Sequence, residues 1–573
     1  MRIFEEFEQN KISLFILLVI IFLGIFIRLN DFSKIGYWND DVSTIPTGLL
    51  PFYSYPVFPG LSGQGEPILG NLIVGLGCKI SGEDFSRVSE VKPMFYPGRE
   101  ELIGKQLVNA FPYCHLPMYF FGILFFLVIS LLAVTLLDKF AALYAISFYA
   151  FYPSLLQLSR WIHVDIFGYF FVALGILFLW HAYSSEKNKR EIVFFILSFT
   201  SLGLAFATKL PNGIFLIFAT LILMLKYKDE SMQMLGKIGV KLNLNIAGKI
   251  PHNETINYKR GLKIVALSIV AYLIAFLAPF NFRINNFISV LRRYQSVNPT
   301  YSGLGFNTNL FKDVFNFILT INPIDTVVFF LSMLLVIKFM KSKKDKKEKF
   351  VFYLFMFLLF TLIITRALTY VRVFITFSIG LIFIIALSFS NKENFIFKSS
   401  SIKKRSLILT MFIIAYVTFS FINAFLISPH FAYNNQILCK FSAAGCETEL
   451  IGFVQKDIAN YLKMVLKDEE TFYWGKSDVL YYYIRQEESY QKFLFDEAVF
   501  RNFNRYPTAE EQIQYFMPFG RKTRYAIVNP YTEVTEDKYL SKLKKEYRPN
   551  HIIYMKEKEA ALIYDLKNLD KLA

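Results

Sequence analysis

The sequence predicts an α-helical membrane protein of many spans, with a small α/β domain at its C-terminus. Of its 573 residues, 54% are hydrophobic and 64 are Phe, an excess that a water-soluble domain of this length does not need. Long apolar stretches alternate with short charged loops, as they do in integral membrane proteins. After residue 427 the pattern changes, because apolar runs become short and charges frequent.

About eleven apolar stretches are predicted to cross the membrane as helices. They cover residues 12–29, 117–137, 140–158, 166–183, 192–208, 211–227, 264–281, 314–338, 350–366, 373–390 and 406–427. The first ten residues are polar, and no small-residue cleavage site follows the first span. We therefore expect the first helix to remain uncleaved.

Lysine and arginine side chains predict the orientation of these helices. They crowd four loops that all fall on one side of the helix count, near residues 187–190, 226–263, 338–349 and 392–405. The positive-inside rule makes that side cytoplasmic, which also places the N-terminus there. The net charge of +17 is thus a topology signal, and nucleic-acid binding is not expected.

The predicted topology divides the chain into a membrane domain, 1–427, and a soluble extracytoplasmic α/β domain, 428–573. Within the first, residues 30–116 form a large outer loop, where a short apolar run at 68–74 predicts an interfacial helix. In the second, hydrophobic periodicity predicts helices and strands. The helices are at 450–466 and 536–547, and the strands at 471–474, 524–528, 551–555 and 561–564.

All four cysteines fall in predicted outer segments. Nearness in sequence favours the disulfides Cys78–Cys114 and Cys439–Cys446, which an oxidising compartment would permit. Free buried thiols are the alternative. Cys114 is followed by His115, but further ligands at usable spacing are missing, so no metal site is expected there.

Polar residues collect at the predicted outer ends of the spans, where a membrane protein does not need them. Singly, each has an ordinary explanation, such as a solvated loop acid, a salt bridge between Arg160 and Asp165, or a cation that reaches the interface. Together on one face they predict a functional site. The candidates are Asp40, Asp41, Arg160, Asp165, Lys209, Arg366, Tyr370 and Arg372.

The chemistry of this set is coherent. A carboxylate can accept the proton of an attacking hydroxyl, and Lys and Arg can neutralise charge on a phosphate leaving group. Transfer of a sugar from a phosphate-linked lipid needs both functions. The chain has no P-loop and no Gly-rich nucleotide fingerprint, which agrees with a donor carried by a lipid.

Four segments resemble the GT-C glycosyltransferases, in the branch of protein O-mannosyltransferases and lipid A aminoarabinose transferases. They are Arg28-Leu29 with Trp38-Asn39-Asp40-Asp41, Ser159-Arg160-Trp161-Ile162-His163-Val164-Asp165, Thr208-Lys209 with Gly213, and Tyr370 with Arg372. The resemblance covers roughly residues 12–390. Asp41 stands where the family usually has Glu, and only Gly65-Glu66-Pro67 represents its Pro-rich acceptor-loop motif.

The resemblance implies an inverting transfer of a sugar, of mannose type, from a polyprenyl- or dolichyl-phosphate carrier to an acceptor hydroxyl on the extracytoplasmic side. The acceptor could be a protein, a glycan or a lipid, and the membrane a plasma or an ER-type membrane. The implied catalytic acids are Asp40 as base, Asp41 and Asp165. The donor and its phosphate would be held by Arg160, Lys209, Arg366, Tyr370 and Arg372.

Alternatives remain open at this point. A flippase for lipid-linked saccharides would use a similar donor without bond cleavage, but it would be expected to show repeated helix groups and charges near the bilayer midplane. A divalent cation could be held by Asp40 and Asp41, since some GT-C enzymes bind one. His163 is expected to pack or hydrogen-bond near Asp165.

Overall fold

A computed structural model describes the parts of the chain on which the following rests. These are residues 7, 10–30, 41–53, 68–86, 88, 104–185, 189–227, 258–297, 321, 324–329, 345–364, 371–387, 389, 402–427, 455–465, 470–474, 522–528, 544–555 and 558–565.

The described chain is mostly helical and ends in a small sheet, which confirms the predicted fold class. The helices are α1 (Lys11–Leu29), α2 (Asp41–Tyr53), α3 (Ile68–Ile80), α4 (Gly104–Leu136), α5 (Lys139–Phe151), α6 (Pro153–Leu158), α7 (Asp165–Ser184), α8 (Lys189–Thr208), α9 (Phe215–Lys226), α10 (Tyr258–Leu277), α11 (Ile284–Val297), α12 (Lys346–Ile364), α13 (Val371–Leu387), α14 (Ile402–Ile427) and α15 (Gln455–Val465). Two 3₁₀ turns cover Leu210–Ile214 and Ala278–Phe280.

The apolar helices make the chain an integral membrane protein. Six helices in the described parts are long and apolar enough to cross a bilayer, and four apolar helices are shorter. Each predicted span coincides with described helix except 314–338, of which the structure describes only residues 321 and 324–329. The full number of spans and their orientation stay predictions.

Two boundaries differ from the sequence prediction because of proline. The second span was expected to begin at Pro117, but α4 begins at Gly104 and contains both Pro112 and Pro117. Neighbouring helices satisfy backbone groups that proline frees, so a packed membrane helix tolerates it. Conversely, the predicted span 140–158 is broken at Tyr152, and Pro153 starts the short helix α6.

Close helix contacts bring α2 and α3 together and place α3 against the bundle. At Gly75 of α3 a Cβ would lie 1.9 Å from the carbonyl oxygen of Gly48 in α2. At Gly70 a Cβ would lie 2.6 Å from Cβ of Val164. Both glycines therefore permit backbone approaches that a larger residue would prevent, and α3 reaches the start of α7.

The sheet near the C-terminus contains the four predicted strands. They are β1 (Glu470–Trp474), β2 (Lys522–Val528), β3 (His551–Met555) and β4 (Lys558–Asp565), in the order β1-β2-β4-β3. Strands β1 and β2 are parallel, and the other pairs are antiparallel. Arg524 of β2 forms a two-point ion pair with Asp565 of β4. Its Nε lies 2.6 Å from Oδ1 and its Nη2 lies 2.7 Å from Oδ2. Most of the predicted helix 536–547 lies outside the described residues.

Candidate active site

A buried ion pair joins the start of α7 to the turn that follows α8. The ammonium of Lys209 contacts Oδ1 of Asp165, and Nδ1 of His163 lies 2.7 Å from Oδ2 of the same carboxylate. The side chain of Asp165 is fully buried, whereas that of Lys209 is 19% exposed. The lysine is therefore the member of the pair that reaches the surface, and His163 is placed beside Asp165 as the sequence predicts.

Local structure explains why these two residues meet. Asp165 is the first residue of α7, where the helix dipole favours a negative charge. Lys209 is extended between α8 and the 3₁₀ turn, which begins with Leu210 and Pro211. The turn packs tightly on α7, because a Cβ at Gly168 would lie 2.3 Å from the amide nitrogen of Asn212.

Arg160 binds the end of α1 from its place just before α7. Its Nη2 donates to the carbonyl oxygens of Ile27 at 2.5 Å and Asn30 at 2.7 Å. Carbonyls in the last turn of a helix have no partner within the helix, so the guanidinium caps α1. The segment that leads to Asp40 begins directly after Asn30.

Arg28, noted in the sequence only as part of a motif, is fully buried and ties α1 to α5. It donates to the carbonyl oxygens of Gly24 at 2.7 Å, Tyr149 at 2.9 Å and Ala150 at 3.2 Å. Its guanidinium also lies over the ring of Phe126, 4.6 Å from the centroid. Arg28 and Arg160 thus both hold helix ends at this face of the bundle.

The remaining predicted site residues are only partly described. Asp40, Arg366 and Tyr370 lie outside the described residues. Asp41 begins α2 and Arg372 lies in the first turn of α13, but the structure does not describe their side chains. Of the candidates, the structure therefore brings together Asp165 and Lys209, with Arg160 five residues before Asp165.

The cysteines in the described residues are paired. Cys78 of α3 and Cys114 of α4 form a disulfide bond, which is the pairing predicted from the sequence. Cys439 and Cys446 lie outside the described residues. Where the structure describes side chains, no group of three or more His, Cys, Asp or Glu could hold a metal ion. The side chains of the suggested cation site, Asp40 and Asp41, lie outside the described part of the chain.

Two further buried acids were missed in the sequence. Glu191 of α8 lies 2.7 Å from the ammonium of Lys226 and accepts a hydrogen bond from the Tyr227 hydroxyl at 2.6 Å. Asp325 accepts hydrogen bonds from the hydroxyls of Tyr144 at 3.1 Å and Tyr416 at 2.6 Å. A single carboxylate within the predicted span 314–338 was the available signal for Asp325.

Comparisons with known proteins found one family model and several solved structures similar to this chain. Residues 88–281 match the family model of dolichyl-phosphate-mannose-protein mannosyltransferase. The solved structure of ArnT from Cupriavidus metallidurans bound to undecaprenyl phosphate is similar at 11% identity, with 95% of this chain and 97% of that chain covered and a TM-score of 0.47. The apo oligosaccharyltransferase of Archaeoglobus fulgidus is similar at 14% identity, with 90% and 69% covered and a TM-score of 0.44.

A search of curated proteins found no match. Because the structural identities are low and the TM-scores lie below 0.5, those two similarities assign neither a substrate nor an activity. The family match is different, since residues 88–281 contain Arg160, Asp165 and Lys209. It confirms the resemblance to glycosyltransferases that the sequence predicts, over residues 88–281.

Proposed function

We propose that the protein transfers a sugar, of mannose type, from a polyprenyl- or dolichyl-phosphate carrier to an acceptor hydroxyl on the extracytoplasmic side of its membrane. The proposal includes the predicted topology, with the N-terminus in the cytoplasm. It also includes a membrane domain of residues 1–427 and an extracytoplasmic domain of residues 428–573. The acceptor is a hydroxyl of a protein, a glycan or a lipid.

The observation that carries the proposal is the basic side chain of Lys209 in the Asp165–Lys209 pair. Lys209 is the partly exposed member of this pair, and Arg160 lies five residues before Asp165. Lys and Arg side chains stabilise the negative charge of a phosphate. The lipid phosphate is proposed to bind at Lys209.

Arg160 connects this phosphate site to the proposed base. Because its guanidinium holds the carbonyl of Asn30, it fixes the point from which the Asp40 segment begins. In the proposed reaction, Asp40 accepts the proton of the acceptor hydroxyl while the hydroxyl oxygen attacks the anomeric carbon. The bond from that carbon to the phosphate oxygen breaks with inversion, and Lys209, Arg366 and Arg372 stabilise the departing phosphate.

The test is the Asp40→Asn variant, assayed in liposomes with radiolabelled polyprenyl-phosphate mannose and a membrane extract of proteins, glycans and lipids that supplies acceptor hydroxyls. Release of polyprenyl phosphate is expected to fall by about 10²–10⁴-fold, the usual contribution of a general base. Asp138→Asn is the matched control. Asp138 caps α5 by accepting from the Ala141 amide at 3.2 Å, and Asn caps a helix equally well.

Each outcome of this test has a defined meaning. Full release by Asp40→Asn, together with loss in Asp41→Asn, would transfer the role of base to Asp41. Full release by both variants would remove the proposed mechanism. Movement of the labelled lipid across the liposome membrane without release of polyprenyl phosphate would instead identify a flippase.

A further inference from the structure

His115, which the proposed mechanism does not use, has one ring nitrogen with a defined role. Its Nδ1 lies 2.6 Å from the backbone carbonyl oxygen of Arg160. A carbonyl oxygen can only accept a hydrogen bond, so Nδ1 carries the proton. A second proton would place an unpaired charge in a buried site, which is costly. The ring is therefore neutral, and Nε2 carries a lone pair.

The lone pair of Nε2 has no donor in the described parts of the chain. His115 is only 3% exposed, and its Nε2 is a buried atom without a hydrogen-bond partner. The amide nitrogen of Gln157 is a second such atom, on a residue that is 8% exposed. The backbone carbonyl of Gln157 accepts from the amides of Arg160 and Trp161, so Gln157 belongs to the same turn as the Arg160 carbonyl that His115 contacts.

Buried polar atoms without partners cost stability, and most are satisfied by a ligand, by water or by another group. Here one unpaired atom is an acceptor and the other is a donor. A hydroxyl group both donates and accepts, so a ligand with hydroxyl groups can satisfy atoms of both kinds. The hydroxyls nearest to a bound lipid phosphate are those of the sugar that it carries.

We infer that His115 is a sugar-binding residue, whose Nε2 accepts a hydrogen bond from a hydroxyl of the donor sugar. The inference rests on the proposed function and extends it to recognition of the sugar. The rival role is positional, in which His115 acts only through Nδ1 by holding the carbonyl of Arg160.

Two substitutions separate these roles, because each amide side chain replaces one ring nitrogen. His115→Asn places an amide near Nδ1, so the contact with the Arg160 carbonyl can persist while the Nε2 acceptor is lost. His115→Gln places an amide near Nε2, so an acceptor persists while the Nδ1 contact is lost. If His115 binds the sugar, His115→Asn should lose affinity for the mannosylated lipid. If its role is positional, His115→Gln should lose that affinity instead.

The measurement is the affinity of each purified variant for two probes, polyprenyl phosphate and polyprenyl-phosphate mannose. For His115→Asn we expect unchanged affinity for polyprenyl phosphate and a loss of roughly threefold to tenfold for the mannosylated lipid, the effect of one hydrogen bond. His115→Gln should bind both lipids as the wild type does. Unchanged affinity for polyprenyl phosphate also reports that a variant is folded.

Two results would overturn the inference. If His115→Asn binds both lipids as the wild type does, Nε2 holds no sugar hydroxyl and contacts at most an ordered water. If only His115→Gln is impaired, the role is positional. Failure of the proposed function is distinguishable, because the liposome assay measures release of polyprenyl phosphate by the wild type separately from lipid binding. A wild type that binds neither lipid would overturn both proposals.

Discussion

Two buried lysine–carboxylate pairs lie at opposite ends of the same helices, and they are built differently. The Asp165 pair (Asp165 with Lys209) joins the start of α7 to the end of α8, and the Glu191 pair (Glu191 with Lys226) joins the start of α8 to the end of α9. Since α7 has 20 residues, its two ends are about 30 Å apart.

The surroundings of the two lysines differ most. The ammonium of Lys226 also contacts the carbonyl oxygens of Ala182 and Ser185, the latter at 2.8 Å, and its side chain is 8% exposed. It thereby caps the C-terminal end of α7, where a cation is favoured. Lys209 is 19% exposed and faces the carboxylate of Asp165. We therefore propose a structural role for Lys226, whereas Lys209, the more exposed of the two lysines, is the one proposed to contact the lipid phosphate.

The largest difference is expected between Lys209→Met and Lys226→Met. Each change leaves a buried carboxylate without its cation, so each should lower stability by about 3–5 kcal/mol. Only Lys209→Met should also reduce sugar transfer per folded enzyme, by about 10²–10³-fold, because it removes a charge that stabilises the leaving phosphate. Thermal unfolding in detergent and release of polyprenyl phosphate measure the two effects.

The comparison of the two pairs fails if Lys226→Met reduces transfer per folded enzyme as strongly as Lys209→Met does. In that case both pairs would contribute to the reaction through the helices that connect them. If the two variants unfold at the same temperature but only Lys209→Met loses transfer, the result would support a catalytic role for Lys209 and a structural role for Lys226.

A smaller effect is expected for Asp165→Asn, with Glu191→Gln as its matched control. The Asn side chain keeps the shape of Asp165 but loses the charge that orients Lys209. We expect transfer to fall by about tenfold to hundredfold, the value of a hydrogen bond to a charged group. Glu191→Gln should leave transfer per folded enzyme unchanged.

Coupling between the two residues tests this role for Asp165. If Asp165 acts through Lys209, the variant with both substitutions should transfer no worse than Lys209→Met alone. Additive losses would mean that Asp165 acts on the substrate independently, as the resemblance to the family implies.

The sequence predicts that the site residues lie at one face of the membrane, but it does not predict which side chains pair. Counting spans places Arg160, Asp165 and Lys209 together at one face, since each lies at a boundary between apolar stretches. A salt bridge between Arg160 and Asp165 was equally consistent with the sequence. In the structure, Arg160 instead donates to a backbone carbonyl of α1, more than a hundred residues earlier. Asp165 forms its ion pair with Lys209.

Such pairings depend on packing, which local patterns do not encode. Gly168 allows the turn with Lys209 to approach α7, and its importance is visible only when Asn212 is in place. Likewise, the partner of His115 is a backbone carbonyl, which no residue type reveals. The fold class was predictable because apolar length and lysine-rich loops repeat along the whole chain, whereas each contact at the site occurs once.

The smallest expected effect concerns the Tyr227 hydroxyl in the Glu191 pair. Tyr227→Phe removes one hydrogen bond to Glu191, which keeps its contact with Lys226. Stability should fall by about 1–2 kcal/mol, with transfer per folded enzyme unchanged. Tyr113→Phe, at a position that is 42% exposed, is the control and should change neither quantity. A loss of transfer at unchanged unfolding temperature would contradict the structural role of this pair, because a hydroxyl that only supports a buried carboxylate cannot affect the reaction without affecting the fold.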